Sequence, residues 1–359
     1  MTSRLRSFRL ASGLSQQDLA DLVGVSRQAV AGIERGAFEP SLKVSLGLAA
    51  ALGTTVEALF EGTVSRAKVD AGLVRTVASL TRVDLAQVGE ELVALPRHGD
   101  NAMVAGFSTA GALVDSCGSQ GVLATPFRPA RPTLVVAGCD PAIPLMAGPL
   151  NRLDPPVDLA WWSCSSREAL ELLAAGQIHV AGFHIGGQNE LAQTLAEIDT
   201  GPVEVFSFAT WSEGLVVSRQ LRGIPLAGLL DSKSRLVNRQ PGAEARRLLI
   251  SAVKAEGGSP EEIAGWDSTI SAHMLLASCI ARNVGEWGVA SQPVAIDFGL
   301  DFTPLAEEEF VLAVPSGLVK SREVRAMLRI AGGMDLRTQL SAIPGYGGIE
   351  ACGKHLATV

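Results

Sequence analysis

The sequence predicts two fold classes in one chain: an all-α domain at the N-terminus and an α/β domain over the C-terminal two-thirds. Three observations carry this. Helix signals punctuated by glycine crowd the first sixty residues, and from Pro132 apolar strand-like runs alternate with helical stretches. The 359 residues are 47% hydrophobic and 19% charged, which suits more than one packed core and excludes a disordered chain. Mean hydropathy is +0.26, yet no apolar run reaches the ~18 residues of a spanning helix. The best stretch, Thr133 to Leu150, is broken by Asp140, Pro141, Pro144 and Pro149.

In the first segment, Arg4 to Leu10 predicts a short basic helix with Leu5, Phe8 and Leu10 on one face, ended by Gly13. Ser15 with Asp18 three residues on reads as a capping box for a second helix, whose apolar stripe is Leu19, Leu22 and Val23. Gly24 makes a turn, and Ser26 caps a third helix, Arg27 to Arg35, stopped by Gly36. Pro40 and Ser41 open a fourth, with Leu42, Leu46, Leu48, Ala49 and Leu52. After Gly53 a short fifth runs through Leu59. This is a helix-turn-helix bundle. The order Leu14-Ser15-Gln16-Gln17-Asp18-Leu19-Ala20, Val25-Ser26-Arg27-Gln28-Ala29-Val30, Ile33-Glu34-Arg35-Gly36 and Pro40-Ser41 resembles the Cro/phage-repressor-type (XRE) family over residues 1–61.

A recognition helix enters the major groove with its N-terminal residues at the base edges, here Ser26, Arg27 and Gln28. Gln28 suits an adenine edge, and Arg27 a guanine or a phosphate. The resemblance gives Gln16 and Gln17 a clamping role, and Arg35 is within reach of backbone. The chain carries −7 in all. Residues 1–60 hold six basic against five acidic side chains, so they are the place where nucleic acid would be met. So little charge makes one copy a weak binder, and a homodimer on two-fold double-stranded operator DNA is expected.

Residues 62–130 read as a linker or a small β-rich subdomain. Gly62 to Arg75 looks inter-domain. Arg82 to Val88, Glu91 to Pro96 and Met103 to Phe107 look like strands, with turns at Gly89, Gly99-Asp100 and Gly118. His98 reads as a solvated loop histidine.

Residues 131–359 begin with a βαβαβ rhythm. Its strands are Thr133 to Gly138, Leu159 to Trp162, Ile178 to Gly182 and Glu204 to Ala209, which predicts a parallel sheet with ligands at the carboxyl ends of its strands. No G-x-G-x-x-G, P-loop, H-E-x-x-H or G-x-S-x-G motif appears, and no paired catalytic carboxylates. An enzyme is therefore not expected. The strand ends carry Cys139, Asp140, Ser163, Cys164, Ser165, Ser166 and Thr210. A helix N-terminus with such hydroxyls is an anion site without chemistry.

The block Arg235-Leu236-Val237-Asn238-Arg239-Gln240-Pro241-Gly242, followed by Arg246-Arg247-Leu248-Leu249, resembles the periplasmic molybdate-binding-protein-like domain, as do 209–217, 176–183 and 302–314. The resemblance implies a two-lobed α/β periplasmic-binding-protein-like fold over residues 130–358. It also implies a sensor of molybdate, tungstate or a molybdenum-cofactor species, with no covalent cofactor. Chain crossings between lobes are expected near Thr210 to Val217 and Asp301 to Ala313.

Cys139, Cys164 and His184 fall at strand ends facing the expected cleft, with His273 and Cys279 on a helix Thr269 to Ala281 of the other lobe. A soft-metal or redox pocket is one reading. The favoured one treats the cysteines as small apolar residues, because no ligand spacing supports a metal. His184 reads as a loop residue that donates to an anion or as a structural histidine, and Asn238 and Arg239 begin a turn from which Arg239 clamps an anion or pairs with a surface carboxylate. Ser163, Ser165, Ser166 and Arg239 are expected to meet at one spot. Trp161, Trp162 and Trp211 read as core, and Gly345-Tyr346-Gly347 as a structural tail element. Five scattered cysteines without a Cys-x-x-Cys pair, and no visible leader, point to free thiols in the cytoplasm.

Overall fold

The computed structural model describes residues 5–60, 69–73, 81–97, 110–118, 121–127, 131–186 and 188–359. It divides into two compact units, Met1–Ala67 and Lys68–Val359.

Among its described residues the first unit holds five helices: α1 Leu5–Ala11, α2 Gln16–Val23, α3 Arg27–Glu34, α4 Leu42–Ala51 and α5 Val56–Phe60. Serine hydroxyls start three of them. Ser15 and Asp18 form a reciprocal capping box on α2, and Ser26 and Ser41 accept from backbone N–H groups of α3 and α4. Gly24 turns the chain between α2 and α3 at φ 72°, where a side chain would be strained. Leu5, Leu19, Val30, Ile33, Leu48, Leu52 and Leu59 make the core. Leu10, Leu22, Leu42 and Leu46, read from sequence as apolar faces, are instead more than half exposed. Helices this short bury only a narrow stripe against so small a core.

The second unit opens with a closed barrel in the order β1-β3-β2-β4-β5. Its strands are β1 Val69–Leu73, β2 Arg82–Val88, β3 Glu91–Pro96, β4 Ala112–Gly118 and β5 Gly121–Pro126. The segment read as inter-domain thus supplies β1. The Met103 to Phe107 strand, His98 and the Gly99-Asp100 turn lie outside the described residues. Ala86, Val88, Val93 and Leu95 share one core with Val135 and Ala137, so the barrel packs on the sheet that follows.

That sheet has the order β12-β9-β13-β8-β6-β7, with β14 His355–Thr358 beside β9. Its strands are β6 Thr133–Ala137, β7 Asp158–Trp162, β8 Val180–Ile185, β9 Val203–Val217, β12 Trp287–Ser291 and β13 Asp301–Pro315. Only β6 pairs its neighbours β7 and β8 in parallel; the other ladders are antiparallel. The expected all-parallel sheet is corrected by two 15-residue strands, β9 and β13, which pair along nearly their whole length. An apolar run in sequence carries no strand direction, so this was not readable there.

β9 and β13 serve two lobes. Their Val203–Val205 and Val311–Ala313 ends pack into the cores around β6–β8, and Leu215–Val217 packs into those around β12. Between the two, the ladder slips register at Pro304/Ala306 and Phe310/Val311. At Gly214 the Thr303 carbonyl oxygen lies 2.1 Å from where a Cβ would stand, so the strands touch there only because Gly214 has none. Helices α6 Ala147–Asn151, α7 Ser166–Ala174 and α8 Gln188–Ala196 belong to the first lobe. The second lobe holds α9 Leu226–Asp231, α10 Glu244–Ala255, α11 His273–Ala281 and α12 Gln292–Asp297. α13 Arg322–Ala331 and α14 Met334–Ser341 return to the first. Among the described residues no helix is long and apolar enough to cross a membrane.

Candidate functional site

Two sites emerge, one in each unit. In the first, Arg6, Arg9, Gln16, Arg27, Gln28, Ala31, Glu34 and Arg35 line one open groove. Four of the expected DNA-facing residues, Gln16, Arg27, Gln28 and Arg35, meet there. Ser26 is exposed, but its hydroxyl is engaged as the α3 cap, and Gln17 pairs with Asp21. Behind the groove Arg9 binds Glu34 through two donors, Nε at 2.7 Å and Nη2 at 3.3 Å, and Gln16 donates to the same carboxylate at 2.7 Å. Burial works to raise the Glu34 carboxyl, and these donors outweigh it and hold it below the usual range. Four arginines against one satisfied carboxylate leave the groove positive, as a phosphate-facing surface requires.

The second site lies where the two lobes meet. β6 is followed by Cys139 and Asp140, and β8 carries His184. β9 and β13 bring Glu213 and Glu308 from the crossings, and the second lobe adds Arg239 and His273. All seven side chains are buried. Cys139 Sγ lies 2.9 Å from His184 Nε2. The opposite edge of that ring, Nδ1, stands 3.8 Å from both Glu213 Oε2 and Glu308 Oε2, and His273 Nδ1 stands 3.6 Å from Glu213 Oε1. These gaps are too long for hydrogen bonds. Neither oxygen of Glu213 and neither Nδ1 has a partner, and Arg239 Nη1 is likewise unpaired. Arg239 Nη2 donates to the Ser271 carbonyl at 3.1 Å. Trp211 and Phe310 wall His184 edge-on, each with ring centroids 5.3 Å away.

Burial dominates the electrostatics. It pushes Glu213 up to about 7 and Asp140 up to about 6. It pulls His184 down to about 3, with Arg239 adding to the fall, and lowers His273 for the same two reasons. The Cys139 thiol is pushed far above its ordinary range. These shifts favour neutral imidazoles and a protonated thiol.

The serines of the expected anion pocket also serve the backbone around them. The Ser165 hydroxyl accepts from the Glu168 N–H and caps α7, and the Ser166 hydroxyl accepts from the His184 N–H. Each of these hydroxyls accepts from a backbone N–H and keeps its own O–H as a donor. Ser163 and Cys164 are buried beside them. Thr210 exchanges backbone bonds with Gly347, so it anchors the C-terminal tail. Asn238 and Arg239 form the short strand β10, paired with β11 Thr269–Ile270, rather than a turn. Asn238 donates to the Trp266 carbonyl and accepts from the Arg239 N–H, which fixes the arginine's direction. His184 sits inside β8, not in a loop after it, and α11 begins at His273 rather than at Thr269. Glu213, Glu308 and Tyr346 were missed. The Tyr346 hydroxyl donates to Asp140 Oδ1 at 2.5 Å.

A positively lined helix-turn-helix groove and a polar cleft between two lobes define the class: a helix-turn-helix domain joined to a periplasmic-binding-protein-like domain. Residues 147–332 match the model of the PBP superfamily domain, and residues 5–59 match that of the helix-turn-helix family. The chain belongs to the PBP superfamily domain family, with a helix-turn-helix domain in front. The Bacillus subtilis protein YvgK is 25% identical over 227 residues, covering 60% of this chain and 71% of the relative. MJ0272 of Methanocaldococcus jannaschii, described as an uncharacterized HTH-type transcriptional regulator, is 40% identical over 60 residues, 17% of this chain and 91% of the relative. Among solved structures, the effector-binding domain of QuiR in complex with shikimate aligns with a TM-score of 0.43 at 10% identity, covering 60% of this chain and 100% of that one. A binding-protein component of an ABC phosphonate transporter from Pseudomonas aeruginosa gives 0.44 at 11%, covering 64% and 82%.

Proposed function

We propose that the chain is a one-component transcriptional regulator: it binds operator DNA as a homodimer through α3, and a small ligand held between the lobes of the second unit changes its DNA affinity. The carrying observation is that buried polar atoms without partners come from both lobes (Asp140, His184, Arg239 and His273) and from Glu213 on the crossing strand β9, the arrangement in which a ligand favours one lobe geometry over another. A binding rather than catalytic cleft is supported by the Cys139 thiol, which burial drives up, whereas a nucleophilic cysteine needs the opposite shift. A cytoplasmic location follows from this reading.

Sequence resemblance favours molybdate, tungstate or a molybdenum-cofactor species. The make-up of the cleft favours a cation, because Arg239 is offset by Cys139 and Glu213 while Asp140 and Glu308 are buried there too.

Duplexes selected from a random pool test the DNA half. At ~150 mM salt the selected duplex should bind well above random duplex. Arg27→Ala and Gln28→Ala should each cost about 1–3 kcal/mol. Equal binding of selected and random duplex by the native chain would refute sequence-specific recognition. Thermal stabilisation across oxyanions and divalent metal ions tests the ligand half, where ~2.7 kcal/mol is expected at about 100 times the dissociation constant.

A further inference from the structure

We propose that Cys139, His184 and His273 form a binding site for a divalent transition-metal ion of the zinc class, bridging the two lobes, with Glu213 and Glu308 as the carboxylate partners of the imidazoles. The inference rests on the reading of the cleft as the ligand pocket and names its occupant.

The geometry supports this directly. One donor atom from each of the three residues lies within 4.8 Å of the others, and all three residues are buried. In a tetrahedral zinc site, sulfur sits at about 2.3 Å and imidazole nitrogen at about 2.0–2.1 Å, so two donors on one ion stand about 3.3–3.6 Å apart. Closing the set therefore takes shifts of up to roughly 1–1.5 Å in the widest pair, and a slight opening of the Cys139–His184 pair at 2.9 Å. The residue types match as well: thiolate and imidazole select borderline-soft metals over magnesium or calcium.

The surroundings are those of a metal site rather than a packed core. His184 directs Nε2 at the sulfur and turns Nδ1 to Glu213 and Glu308. A metal-bound imidazole needs that division, because its other ring N–H is taken by a carboxylate that fixes the tautomer. Glu213 also faces His273. One carboxylate thus addresses an imidazole from each lobe, and neither of its oxygens has a partner. Three protein ligands leave a fourth position open. Cys139 and His184 belong to the first lobe and His273 to the second, so an ion held by all three ties the lobes together.

Cobalt(II) replaces zinc(II) in such sites and reports its ligands by colour, so the test uses the purified full-length chain. Titration of the metal-free protein with cobalt(II) should saturate at one ion per chain. It should give a near-ultraviolet sulfur-to-cobalt charge-transfer band and the strong visible bands of a four-coordinate ion, both bleached by zinc(II). Cys139→Ser should remove the charge-transfer band, while Cys117→Ser and Cys279→Ser keep it. Glu213→Gln should weaken binding roughly 10–100-fold and leave the band intact at saturation, as a positioning residue must. No cobalt bound by the native chain at micromolar protein, or a charge-transfer band that survives in Cys139→Ser, overturns the site. The native titration needs no variant, so misfolding of a variant leaves the test intact. DNA binding measured on the same preparations separates the two readings. Cobalt colour without any change in DNA affinity upholds the site and refutes metal as the effector. DNA affinity that answers to another small molecule, with no colour, refutes the site and keeps the regulator.

Discussion

Replacing Glu213 by glutamine should stabilise the metal-free second unit, and only at high pH. The folded carboxyl is raised to about 7 from an unfolded value of 4.5, chiefly by burial. A group whose folded value lies above its unfolded one contributes stability that is fully present below the unfolded value and lost as pH rises through the folded value. The window is therefore pH 4.5 to 7. A gap of about two and a half units at 1.36 kcal/mol each comes to about 3 kcal/mol lost by pH 8. Glutamine keeps the shape and carries no charge, so it should escape that loss.

All five tryptophans, at 161, 162, 211, 266 and 287, lie in the second unit. Their fluorescence in a urea titration follows that unit alone. With chelator present, Glu213→Gln should match the native chain near pH 5 and exceed it by up to about 3 kcal/mol at pH 8. A difference that does not change between those pH values would refute the reasoning, since a lost packing contact has no reason to titrate.

Two further outcomes follow from buried charges. His184 is held down to about 3 against 6.5, so its contribution is present above pH 6.5 and is lost as pH falls toward 3. The same urea assay should show a decline of up to about 5 kcal/mol in the native chain, and His184→Gln should flatten it. In the first unit, Glu34→Ala strands Arg9, which is only 6% exposed, and should cost about 3–5 kcal/mol. Far-ultraviolet circular dichroism should show early helix loss while the tryptophan transition stays in place.

The helical unit was readable in sequence almost helix by helix because its signals are local. Ser15, Ser26 and Ser41 each act within three residues of themselves, and Gly24 stands where only glycine is comfortable. The Arg9–Glu34 pair was not readable, because 25 residues separate its members and nothing marks either as buried. The same limit governs the cleft. Cys139, His184 and His273 stood out as chemistry-bearing residues at element ends, but their convergence is a product of how β6, β8 and α11 are placed. Glu307-Glu308-Glu309 looks like a solvated acidic run, whereas the two-residue period of β13 buries Glu308 and Phe310 and leaves Glu307 outside. That alternation was the available signal. The serines after β7 have a local task the sequence did show: the Ser165 hydroxyl accepts from an N–H in the first turn of α7, as a residue before a helix does.

Charge decides between the two kinds of ligand considered for the cleft, and pH exposes the decision. Among the described residues, Arg239 is the permanent cation that acts on Cys139 and Glu213, and it spends one amino group on the Ser271 carbonyl. A molybdate-like dianion would enter a space already walled by Asp140, Glu213 and Glu308. With Asp140 at about 6 and Glu213 at about 7, it would require at least one of them to take up a proton. Oxyanion affinity should then rise as pH falls from 8 to 6. A metal cation reverses every sign. It must displace the proton of the Cys139 thiol and gains from each ionised carboxylate, so its affinity should rise with pH and binding should release protons. Calorimetric titration in two buffers of different ionisation enthalpy, at pH 6 and pH 8, measures both the affinity and the proton count. Proton uptake with tighter binding at pH 6 would refute a cationic occupant.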